Sequence, residues 1–120
     1  MRVSITIDGR LYSAAVRWTQ PGAHVLTVHT VLPDLPFAVE VHSSFVGHQR
    51  TPVCVTHLVL GPVGADRGVR MGELDGRWYH PGTHPRACLG EHFAQLLELL
   101  HDGGYDARIH APALTSMELR

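Results

Sequence analysis

Lysine and asparagine are both missing from this chain, and all ten basic residues are arginine. Without lysine there is no Walker-type phosphate loop, no Schiff-base nucleophile and no attachment point for pyridoxal phosphate. Without asparagine there is no N-glycosylation acceptor. Arginine used throughout in place of lysine fits the GC-rich coding of a bacterial or phage source. Cysteine is scarce: Cys54 and Cys88 alone make no disulfide framework, which points to a reducing, cytoplasmic setting. No apolar run approaches the roughly eighteen residues of a membrane helix, and the first residues lack the basic-then-apolar build of a signal peptide. No membrane partner is therefore expected. Neither sign of charge dominates, and a formal net charge of −1 argues against general nucleic-acid binding. Nucleophile elbows of the G-x-S-x-G kind, glycine-rich phosphate loops and Asp-Gly-rich calcium loops are absent as well.

What the sequence does have is histidine, ten residues in 120. With 44% hydrophobic and 18% charged residues the chain can bury one core, and it contains no repeat, low-complexity tract or linker. A single domain over 1–120 follows.

Val3–Ile7 alternates at period two and meets Asp8-Gly9, a strong two-residue hairpin signal. Across that turn Ile5 should face Tyr12 and Val3 should face Ala14. His24–Leu32 and Phe37–Phe45 should pair around Pro33-Asp34-Leu35-Pro36. The nearly continuous apolar run Val53–Leu60 reads as a central strand. Gly61–Gly68 reads as a loop, and Val69–Leu74 with Arg77–His80 as a further hairpin around Asp75-Gly76. The one clear helix starts at Pro85, where proline suits the first turn, and runs to about His101 before Gly103-Gly104. Leu89, Phe93, Leu96, Leu97 and Leu100 form its apolar stripe. Tyr105–His110 reads as a last strand. The fold class is α+β: a mostly antiparallel sheet or open β-barrel with one helix (about 85–101) in the C-terminal half packed on it. That helix should cover the face bearing Val28, Val39 and Val41.

Three constellations could carry chemistry. Cys54-x-x-His57 resembles half a zinc site, extended by Cys88 and His92. However, residues three apart on a strand face opposite ways, and a buried structural Cys54 is the simpler reading. Cys88 and His92 lie one helical turn apart, with Cys88 in the first turn, where the helix dipole favours a thiolate. They could form a nucleophile and base, with His84 an alternative base. The third constellation comes from hairpin register. If a four-residue turn sets Leu32 opposite Phe37, then His29 lies opposite Glu40 and His42 is diagonal to His29, all on the polar face. If Cys54, Thr56, Leu58 and Leu60 point to the core, His57 joins that face. Three imidazoles and a carboxylate could bind a divalent metal such as Zn or non-haem Fe, or perform acid–base chemistry with Glu40 raising the pKa of His29. The same residues also suit a plain solvated face.

Two functional classes stay open. One is a non-enzymatic β-rich module that binds another protein or assembles as a homo-oligomer, favoured by the lack of a catalytic motif and by sheet edges that need cover. The other is a small ligand-binding or metal-dependent enzyme that uses the His29, Glu40 and His42 face.

Overall fold

Period-two alternation over the first half of the chain builds a sheet with one dry face. In the computed structural model the described residues are 1–22, 24–32, 39–47, 53–61, 65–73 and 85–110. Strands β1 (Arg2–Ile7), β2 (Arg10–Gly22), β3 (Val25–Leu32), β4 (Val39–Val46), β5 (Val53–Leu60) and β6 (Ala65–Glu73) come first. Helix α1 (Pro85–Asp102) and strand β7 (Ala107–His110) follow. All pairings are antiparallel, in a seven-stranded curled sheet of order β6-β5-β4-β3-β2-β1-β7.

The Asp8-Gly9 turn behaves as its chemistry requires. Both residues take positive φ (50° and 82°), and the register sets Ile5 opposite Tyr12 and Val3 opposite Ala14, as expected. Asp8 also anchors the far end of the chain: its amide donates to the Asp106 carbonyl at 2.8 Å, and its carboxylate accepts from the Asp106 amide at 2.9 Å. That exchange places β7 beside β1.

The inner face carries the core. Strands β3 and β5 alternate half-buried and buried residues along their whole length, with Leu26, Val28, Thr30 and Leu32 inward on β3 and Cys54, Thr56, Leu58 and Leu60 inward on β5. Helix α1 lies on this face and buries Cys88, Leu89, His92, Phe93, Leu96 and Leu100 against it. Val28, Val39 and Val41 are all buried on the same side, so the helix covers the face the sequence assigns to it.

Two expectations need correction. Gly61–Gly68 is not all loop, because β6 begins at Ala65 and pairs with β5 across an irregularity at Leu58/Val59. Pairing outweighs the low strand preference of this segment, and Gly68 has a packing reason to be glycine. A β-carbon there would stand 2.8 Å from Leu99 Cδ2 and push the helix side chain aside. The β3–β4 register is also offset by two residues: Leu32 pairs with Val39, not Phe37. An even offset leaves every side chain on its expected face. The Pro33–Pro36 turn, Phe37 and the proposed hairpin strand Arg77–His80 lie outside the described residues, as does His84.

Candidate metal centre

The two-residue offset reshapes the polar face without dispersing it. His29 pairs directly with His42, and Glu40 sits one step along β4, diagonal to His29. Directly opposed side chains on one face have β-carbons about 5 Å apart, close enough for two imidazoles to stack. They do so, with ring centroids 3.9 Å apart and planes 17° from parallel. Both Nε2 atoms then point at one carboxylate oxygen: His29 and His42 each reach Glu40 Oε1 at 3.0 Å. The three donor atoms lie within 4.8 Å of one another, and this is the only such convergence of three ligating groups among the described residues.

All three side chains are half-exposed, so the cluster is held by strand pairing and not by packing. The hydrogen bond from His42 is the main influence holding the Glu40 carboxyl below its ordinary value. Partial desolvation opposes it, and the bond from His29 adds to it. Glu40 is thus a carboxylate in this setting, ready to accept two N–H groups or to bind a cation.

Tetrahedral nitrogen and oxygen ligands at about 2.0–2.2 Å from an ion stand roughly 3.3–3.6 Å apart. Each imidazole Nε2 lies 3.0 Å from Oε1, so a small outward turn of these half-exposed side chains would open the spacing an ion needs. Three protein ligands leave at least one coordination position for water or a ligand.

The row that contains the histidines crosses five strands. Arg17 pairs with His29, His29 with His42, His42 with His57, and His57 with Val69. His57 does share the polar face, since Cys54, Thr56, Leu58 and Leu60 point inward. It is not among the three convergent donors, which are His29, Glu40 and His42. It stands two strands from His29, a backbone distance of about 9.5 Å, and Glu40 has turned towards the other pair. Arg17 was not singled out from sequence, although the Asp8-Gly9 register already fixes its side of β2. A shallow pocket of about 260 Å³ opens beside the stacked histidines, lined by Arg17, Trp18, Thr19, Thr27, His29 and His42.

The other candidates lie inside the protein. Cys88 is fully buried, and burial pushes its thiol far above the usual range, against the direction the helix dipole would give. Cys54 is likewise buried, its thiol raised to about 11 by desolvation. Neither is the exposed, low-pKa thiol that nucleophilic work requires. His92 is fully buried and serves other partners: its Nε2 meets the Thr30 hydroxyl at 2.6 Å, and its Nδ1 meets the Ser43 hydroxyl. Ser43 continues to Thr56 at 2.7 Å, so one helix side chain ties β3, β4 and β5 together. With His92 occupied in this way it is not set up as a base for Cys88, and the four-residue Cys54/His57/Cys88/His92 set is split across the two faces.

Comparison with known proteins returned no match, whether to a protein-family model, a curated protein or a solved structure.

Proposed function

We propose that this chain is a metal-binding β-sheet module that holds a divalent, zinc-type ion through His29 Nε2, His42 Nε2 and Glu40. The convergence of three donor atoms from two paired strands carries this reading. The ligand types suit the borderline metals: imidazole favours zinc, iron, nickel or copper, and one carboxylate supplies anionic charge. When bound, such an ion polarises a coordinated water or carbonyl oxygen, which is the chemistry the face would supply. The residues' own part is to orient. The β3–β4 register sets the two imidazoles side by side, and the Nε2 contacts with Glu40 gather the three donors at one point, where an ion would take the place of the shared protons.

Titration calorimetry with zinc on protein made without a histidine tag tests this. A stoichiometry of one is expected for wild type. His42→Ala should weaken binding by more than about 100-fold, since even outer-shell changes at metal sites cost 10–100-fold. Glu40→Gln should weaken binding too while shifting stability by less than about 0.5 kcal/mol, as half-exposed substitutions do. Acidification should release the ion, because protons compete for the same nitrogens. Equal zinc binding by wild type and His42→Ala would overturn the assignment.

A second reading, association with another copy or another protein, is favoured by one observation. Strand β6 is a nine-residue edge with no strand on its outer side among the described residues, and Val69 on it is 64% exposed. An edge of that length is a template for further pairing. A sizing column run with and without zinc would show whether assembly occurs and whether it depends on the ion.

A further inference from the structure

The geometry points to a small oxyanion, a carboxylate or phosphate group, as the ligand of this site, held between the ion and Arg17. This inference rests on the metal-binding reading above. Three adjacent rows of the outer face define the arrangement. One contains Glu40, paired with Val31 and Val59; the next contains Arg17, His29 and His42; the third pairs Thr19 with Thr27. Glu40 therefore approaches the stacked imidazoles from one flank. The pocket opens beside the same histidines towards the third row, where Arg17, Thr19 and Thr27 line it.

The charges along this pocket have one sign. None of its lining residues is acidic, and the only carboxylate of the cluster is already engaged by both histidines. Among the described residues no carboxylate pairs with Arg17, whereas Arg70 pairs with both Glu98 and Asp102. An ion carrying two positive charges, opposed by one from Glu40 and joined by the guanidinium, leaves the pocket strongly positive. Guanidinium presents paired N–H donors that match two oxygens of a carboxylate or phosphate. The Thr19 and Thr27 hydroxyls, 2.6 Å apart, add further hydrogen-bonding capacity to its lining. A volume of about 260 Å³ suits a ligand of a few heavy atoms, below the usual range for drug-sized molecules.

Cobalt(II) serves as a coloured substitute for zinc, and its visible absorption bands report ligands that enter the coordination sphere. Wild-type protein loaded with cobalt is titrated separately with inorganic phosphate, acetate and neutral imidazole. Phosphate or acetate should shift the bands, and the tighter of the two identifies the phosphoryl or carboxylate class. Arg17→Gln should weaken that anion by about tenfold or more, the scale of a lost charge-assisted hydrogen bond, and change cobalt affinity by less than about threefold. Imidazole binding should be the same in both proteins. Cobalt binding with an anion response indifferent to Arg17→Gln, or with no anion response, overturns the oxyanion assignment alone. Failure of wild type to bind cobalt or zinc overturns the metal reading and this inference with it.

Discussion

Phe93→Ala is expected to destabilise the protein by about 3–5 kcal/mol, the range for truncating a large aromatic side chain in a core. Phe93 is 6% exposed and sits in the middle of the buried face of α1, between Leu89 and Leu96. Its ring meets the His92 imidazole edge-on, at 5.4 Å and 61°, so truncation also removes a wall of the buried polar network. For a domain of this size each kcal/mol shifts the melting temperature by several degrees. A drop of about 10 °C or more is expected in a thermal melt. A variant that melts within a degree or two of wild type would show that α1 does not hold the sheet face as described.

Acidification from pH 7.5 to 5 is expected to cost about 2 kcal/mol through His92 alone. Burial lowers this imidazole to about 3, assisted by the charges of His29 and His42 across the sheet. In the unfolded chain the same group takes up its proton near an ordinary value of about 6.5. Between those two values the unfolded state binds the extra proton, so stability is full above about 6.5 and falls by about 1.4 kcal/mol per pH unit below it. The lowered carboxyl of Glu40 works in another window, because its contribution is lost only as pH falls through the acidic carboxylate range. Denaturant titrations at intervals across this range should show the slope, and His92→Gln should flatten it. A wild-type profile as flat as that of His92→Gln would mean that His92 is not buried neutral.

The sequence was most informative where local chemistry determines geometry. Asp8-Gly9 demands positive φ at two successive residues, so the β1–β2 register follows directly from the turn. Pro33–Pro36 offered no comparable constraint. A closed four-residue turn there places Glu40 opposite His29, whereas Leu32 pairs with Val39 and His42 is the direct partner of His29. The faces survived because strands have period two, and with them survived the grouping of His29, Glu40 and His42. For His57 the alternation gives the face correctly but does not convey its distance from His29, two strands away. The partners of His92 were out of reach for a different reason: Thr30 and Ser43 stand 62 and 49 residues away. A signal was nevertheless present, since Thr30, Ser43 and Thr56 occupy core-facing positions and buried hydroxyls require partners. A polar residue on the helix stripe was the natural candidate. Ala65–Gly68 was misread because glycine there serves the close approach of Leu99, a tertiary demand that composition does not reveal.

The strands β3 and β4 carry their two polar groups on consecutive residues: His29 beside Thr30, and His42 beside Ser43. The outer member of each pair belongs to the candidate centre, and the inner member is gripped by His92. One seam between two strands therefore supports both, and parting those strands would disturb the centre and the core together. Amide hydrogens along this seam should exchange only with global unfolding, and an ion bound outside should slow exchange at Thr30 and Ser43 on the far side of the sheet.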